Sequence, residues 1–191
     1  MKIAIIGAGF LGLLASEVCT VLYPHCNVTL IDRNEYKLKQ AKSGVDTLFL
    51  SGHEARETYL EEEQNQFDYV LEVAGVPSTY LFSLKLVEHG GTVVWMGNIS
   101  ADLKLEKAMV SNILRKEINL FGTWNSEFKG KELCDWDAAL RLMENGLRPS
   151  DYVDHYIGMS ELGETLHNIY LHKKRVKKIE LTKALVLPEN K

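Results

Sequence analysis

Short β-branched runs alternate along this chain with longer stretches whose apolar positions recur at helical spacing. KIAII (2–6) is continuously apolar and predicts a strand; FLGLLASEVCTVLY (10–23) predicts a helix stopped by Pro24. NVTLID (27–32) reads as a second strand ending on an acid, EYKLKQAKS (35–43) as a helix closed by Gly44, and VDTLFL (45–50) as a third strand. A polar helix, HEARETYLEEEQN (53–65), comes before the strand FDYVLEV (67–73), the helix PSTYLFSLKLVEH (77–89) and the strand GTVVWMG (91–97). A helix around 104–114, the strand INLFGTW (118–124) and the helix ELCDWDAALRLMENG (132–146) complete the alternation.

Parallel strands need crossover connections, so this alternation implies a parallel sheet covered by helices on both faces. Strands buried on both sides need not alternate apolar with polar, and these do not. After Pro149 the pattern changes to a short strand, DYVDHYIG (151–158), a helix over 160–174 with Ser160 as its N-cap, and a final strand within KIELTKALVLPE (178–189). We expect one domain over 1–150 and a short C-terminal appendage over 151–191.

The candidate chemistry sits at the start, in IAIIGAGFLGLLASEV (3–18), where a strand runs into G-x-G-x-x-G and then into a helix. Gly7 permits the tight turn, Gly9 lets a pyrophosphate approach the backbone, and Gly12 lets helix and sheet pack closely. The helix N-terminus offers amide donors and partial positive charge to the phosphates. Asp32 ends the next strand, 20 residues past Gly12, where an acid accepts both ribose hydroxyls of NAD and repels a 2′-phosphate. Arg33 beside it could pair such a phosphate or lie over the adenine, so NADP stays open as the second choice. Strand, glycine loop, helix and acid together predict an α/β Rossmann fold, a doubly wound six-stranded parallel sheet of order 3-2-1-4-5-6. The competing reading is a glycine-rich turn without a ligand.

Composition narrows the partners. The 191 residues carry a formal net charge of −4, which gives no basic field for nucleic acid or an anionic membrane. No apolar run reaches spanning length and no signal peptide opens the chain, so a cytoplasmic protein is expected. Cys19, Cys26 and Cys134 have no C-x-x-C or metal-ligand spacing and read as idle or buried thiols in a reducing compartment. The six histidines lack metal spacing, EEEQ (61–64) reads as a solvated helix face, and HKKRVKK (172–178) as a solvated loop. Asp135 and Asp137 suit a helix N-terminus, Trp95 and Trp136 are expected in the core, and Trp124 is ambiguous.

IGAGFLGLLASEV, IDRNEYKLKQAK, VLEVAGVPSTYLFSLKLVEHGGTVVWMGN and ILRKEINLFGTWN together resemble the cofactor domain of the medium-chain, zinc-type alcohol and polyol dehydrogenases. The similarity is greatest to the sugar-alcohol branch, the galactitol-1-phosphate and sorbitol dehydrogenases, and extends to the closing KALVLPE. The resemblance implies a pyrophosphate loop of Gly7, Gly9, Phe10, Leu11 and Gly12. It implies Asp32 and Lys37 on the adenosine ribose with Arg33 beside the adenine, and Val73, Ala74 and Gly75 flanking the nicotinamide-side ribose. Met96, Gly97, Asn98, Trp124 and Asn125 would present backbone groups to the carboxamide, and Lys183 would pair with the pyrophosphate.

The departure is as informative. In that family a preceding domain supplies the catalytic zinc ligands, the proton relay and most of the substrate pocket, and no Cys-His-Glu set stands in this sequence. The expectation is an NAD-binding domain that positions the nicotinamide for hydride transfer to or from a polyol, with zinc and catalytic residues elsewhere. A chain opening at the first strand leaves no room for that domain, so the isolated chain should be inactive, and the 151–191 tail would return to the missing part. The resemblance further implies a homo-oligomer paired through the sixth-strand edge. A non-catalytic NAD(H)-sensing module is the alternative, disfavoured by GGTVVWMG and the return strand at 180–187; a methyltransferase is weaker, since its loop runs G-x-G-x-G.

Overall fold

A computed structural model of the chain describes residues 1–62, 67–126, 134–174, 176 and 179–188. These fall into two compact units, Met1–Leu147 and Arg148–Lys191. The first holds β1 (Lys2–Ile6), α1 (Phe10–Leu22), β2 (Asn27–Asp32), α2 (Glu35–Leu38), β3 (Val45–Phe49), α3 (Gly52–Glu62) and β4 (Phe67–Glu72). It continues with α4 (Pro77–Leu86), β5 (Val87–Trp95), α5 (Lys107–Arg115), β6 (Asn119–Gly122) and α6 (Asp135–Glu144). The six strands form one parallel sheet in the order β3-β2-β1-β4-β5-β6, the doubly wound order expected from the sequence.

Register explains why the strand ends form a site. Ile6 pairs with Ile31 and with Glu72, Glu72 with Trp95, and Trp95 with Gly122. The turns that follow these strands therefore leave the sheet at one edge, the carboxyl edge where such sheets bind ligands. Alternate residues of the central strands feed two cores. Ala4, Ile6, Val70 and Val93 pack with Leu60 of α3 and Phe82, Leu84 and Leu86 of α4. Ile3, Ile5, Val28 and Leu30 are buried with Leu13 of α1, which lies against β1, β2 and β3. Burying each of these aliphatic side chains is worth about 1.5–3 kcal/mol, enough to fix the pairing against a one-residue slip.

Several boundaries differ from the pattern. The 35–43 helix stops at Leu38, because Gln40 and Ala41 donate to Lys37 and Leu38 three residues back, and the turn tightens before Gly44 at φ +90°. Helix α4 ends at Leu86, and β5 runs over 87–95, starting before the expected 91–97 run and ending two residues short of it. Trp95 is half-buried against the core, with its ring 4.7 Å from that of Tyr80. Trp136 is 62% exposed, not core: α6 turns Trp136, Leu140 and Met143 outward.

The second unit has a 3-10 turn (Pro149–Tyr152), β7 (His155–Gly158), a second 3-10 turn (Met159–Glu161), α7 (Leu162–Lys173) and β8 (Ala184–Leu187). Its two strands pair in parallel, and the Asp154 carboxylate accepts from the Thr182 and Lys183 amides at 2.6 and 3.0 Å. Ser160 is not the cap of α7: it lies inside the 3-10 turn, and Glu161 reaches back to accept from the Gly158 amide at 2.8 Å. Parts of four expectations lie outside the described residues: the end of the polar helix at 63–65, with EEEQ beyond 62; the start of the 132–146 helix; positions 175, 177 and 178 of the basic run; and both ends of the 178–189 stretch. Among the described residues no helix is long and apolar enough to cross a membrane.

Candidate functional site

Gly7 leaves β1 at φ +111°, a left-handed conformation that side chains resist, and donates its amide to the Ile31 carbonyl at 2.8 Å. A Cβ on Gly7 would come within 3.0 Å of the Ala74 backbone. Gly12, one turn into α1, is tighter still: a Cβ there would overlap the Gly7 carbonyl oxygen. Gly9 differs from both, because a Cβ would meet nothing within 4 Å. It is the N-cap of α1 and makes no side-chain cap hydrogen bond. The N-terminus of α1 thus brings its dipole to the open space beside Gly9, a combination suited to an anion.

Asp32 closes the adjacent strand and locks onto the loop. Its Oδ2 accepts from the Ala8 amide at 2.6 Å and its Oδ1 from the Asn34 amide at 2.8 Å, with lone pairs left on both oxygens. Asn34 in turn caps α2 by accepting from the Tyr36 amide. Arg33 is exposed and Lys37 half-buried beside it.

Along the same edge come Val73, Ala74 and Gly75 after β4, and Met96, Gly97 and Asn98 after β5. Val73 donates to Ile6 at 3.0 Å, and Ser100 donates to the Gly75 carbonyl at 3.0 Å. The Met96 and Gly97 amides both donate to the Glu72 carbonyl at 2.9 Å, and the Gly97 carbonyl accepts from the Tyr80 hydroxyl. Those amides are thus already engaged within the fold. Trp124 and Asn125, after β6, are exposed. Lys183 belongs to the second unit, where its amide is held by Asp154.

The sequence pattern left one site residue unread. Glu72 ends β4 with its side chain fully buried. Oε1 accepts from the Ala74 and Gly75 amides at 3.0 and 2.9 Å and from the Thr79 hydroxyl at 2.7 Å, while Oε2 is buried without a partner. Burial pushes its pKa up against the pull of those three donors, and burial together with the nearby Glu72 raises that of Tyr80. The available signal was an acid inside an otherwise apolar central strand, in YVLEVAG.

Among the described residues no group of three or more His, Cys, Asp or Glu side chains is placed to hold a metal ion. The Cys19 thiol is pushed up to about 11 by burial and, less, by Cys26, so it is protonated at neutral pH. Cys134 is buried, and its thiol donates to Asp137 at the start of α6.

Comparison with known proteins is consistent with this architecture. Residues 11–145 match the family model described as zinc-binding dehydrogenase. Galactitol 1-phosphate 5-dehydrogenase of Escherichia coli K12 is 35% identical over 150 residues, which cover 74% of this chain and 42% of the relative. A protein of Escherichia coli CFT073 described as a short chain alcohol dehydrogenase, complexed with NADH, superimposes with a TM-score of 0.76 at 21% identity, over 97% of this chain and 51% of that one. A protein of Sinorhizobium meliloti 1021 classed as a zinc-binding dehydrogenase, bound to NADP, gives a TM-score of 0.76 at 23% identity over 98% and 52%. The chain therefore spans about half the length of the proteins it matches. With the glycine loop, the Asp32 lock and the matched residues in one parallel sheet, the chain belongs to the zinc-binding dehydrogenase family.

Proposed function

We propose that the first unit binds a nicotinamide dinucleotide along the carboxyl edge of its sheet and serves as the cofactor-binding part of a dehydrogenase acting on an alcohol or polyol. The observation that carries this reading is the helix N-terminus that opens at Gly9, where a Cβ would meet nothing within 4 Å, beside an Asp32 carboxylate fixed by two amides. A pyrophosphate fits there because Gly9 adds no bulk and the N-terminal end of the α1 dipole favours an anion. When bound, the nicotinamide supplies a hydride donor or acceptor. This chain's own contribution is to orient it: Gly7, Gly9, Phe10, Leu11 and Gly12 hold the pyrophosphate, Asp32 and Lys37 the adenosine ribose, and Arg33 the adenine edge.

Val73, Ala74 and Gly75 flank the second ribose, and the backbone at Met96, Gly97, Asn98, Trp124 and Asn125 faces the carboxamide. The fixed negative charge of Asp32 favours NAD over NADP, since a 2′-phosphate would approach an anion. The chain spans about half the length of its relatives, which supports a metal, proton relay and substrate pocket supplied by residues outside it, with the 151–191 unit packing against them. Similarity to a galactitol 1-phosphate dehydrogenase supports a sugar alcohol or its phosphate as substrate. Family membership favours this reading over a nucleotide-sensing module. The exposed edge strand β6 is the surface for self-association, and the cytoplasm, given the idle thiols, is the compartment.

Titration with NADH and NADPH, followed by the fluorescence of the reduced nicotinamide, tests the reading. NADH should bind at least about tenfold more tightly than NADPH, and Asp32→Ala should weaken NADH by about tenfold or more. Binding of neither nucleotide, or NADH binding untouched by Asp32→Ala, would contradict it.

A further inference from the structure

We propose that Glu72 is a positioning residue for the nicotinamide half of the cofactor, tying the turn after β4 to the turn after β5; this rests on the dinucleotide reading above. Glu72 is fully buried and lies in register between Ile6 of β1 and Trp95 of β5. Its side chain collects the Ala74 and Gly75 amides and the Thr79 hydroxyl, and its main-chain carbonyl collects the Met96 and Gly97 amides. A single residue therefore holds donors from the β4 turn, the first turn of α4 and the end of β5.

The two turns it joins are in close contact. A Cβ on Gly97 would overlap the Gly75 amide nitrogen and come 2.7 Å from Glu72 Oε2, and a Cβ on Gly75 would overlap the Asn98 carbonyl oxygen. Ser100 donates to Gly75, and Tyr80 donates to Gly97, adding links from the far side of each turn. The adenosine end is held differently, by Asp32 on the Ala8 and Asn34 amides, with no bond to Glu72. An apolar residue at 72 would pack as well in a central strand, yet would leave the Ala74 and Gly75 amides without that acceptor and the Thr79 hydroxyl to the Val76 carbonyl alone. The turns would then relax, and relaxation at these turns degrades the nicotinamide end while sparing the adenosine end.

Calorimetric titration with NADH and with ADP, which ends before the second ribose, reads the two halves separately. Glu72→Met should weaken NADH by about tenfold or more and ADP by less than about twofold, because the unpaired donors lie at one end of the site. Glu72→Gln keeps an accepting oxygen and should restore NADH affinity to within about threefold of the wild type. Equal loss of both ligands in Glu72→Met, no loss of either, or a Glu72→Gln variant as weak as Glu72→Met overturns the positioning role. If Glu72→Met does not fold, Thr79→Val carries the test. An NADH-selective loss of about threefold supports the proposal, and an equal loss or none overturns it. A wild-type chain that binds neither ligand removes the dinucleotide reading itself, and the positioning role falls with it. Wild-type binding with a non-selective variant overturns the positioning role alone.

Discussion

At the scale of single residues, the three glycines of the loop are under different constraints, and substitution separates them. Gly12→Ala places a methyl group on the Gly7 carbonyl oxygen, so we expect a loss of about 3 kcal/mol in urea denaturation. Gly9→Ala has room at an ordinary φ of −73° and should cost about 1 kcal/mol or less, yet weaken NADH by about tenfold or more. Equal stability losses in the two variants would contradict the assignment of packing to Gly12 and ligand approach to Gly9. The turn at Gly7 and the close packing at Gly12 were legible in the spacing of the motif and its flanks, and the ligand approach proposed for Gly9 follows from the same spacing. Glu72 was not legible, because a single acid in an apolar run says nothing of which amides turn back to meet it.

Glu72 also carries a pH signature. Burial raises its folded-state pKa above the value of roughly 4.3 for an exposed glutamate, so the folded chain retains a proton that the unfolded chain releases. Its contribution to stability is complete below about pH 4.3 and is lost as pH rises through the folded-state pKa. Glu72→Gln has no such titration, so urea midpoints of variant and wild type should diverge in favour of the variant as pH rises. Parallel profiles would contradict the raised pKa.

At the scale of elements, the alternation of strand and helix gave the sheet order, because parallel strands admit few connections. Element ends were less legible, since they depend on contacts that periodicity does not encode. Helix α4 stops at Leu86, where the buried Lys116 ammonium donates to the Lys85 and Val87 carbonyls at 3.1 and 2.7 Å. Lys116→Met keeps the length and loses the donation, and should cost about 1–3 kcal/mol by urea denaturation; an unchanged midpoint would show the carbonyls are satisfied otherwise. Trp136 misled because an amphipathic helix pattern does not say whether a partner element is present: α6 has no buried residue. The same holds for β6, an edge strand with Leu120 and Phe121 exposed. If β6 is the surface for self-association, Phe121→Glu should shift sedimentation toward monomer without changing the melting temperature by more than a few degrees; an unchanged sedimentation coefficient would exclude that edge.

At the scale of the whole molecule, the carboxyl edge of the sheet carries the proposed cofactor site, while no metal-holding cluster occurs among the described residues. The second unit pairs two four-residue strands, marginal on their own, and exposes Tyr156, Met159, Leu166 and Tyr170. That division of labour, with positioning here and chemistry elsewhere, is the central claim, and amide hydrogen exchange with and without NADH tests it most directly. The account predicts slowed exchange at 8–13, 73–75 and 96–98, with the α3 and α5 amides unchanged. Protection confined to other segments, or none at saturating NADH, would contradict it.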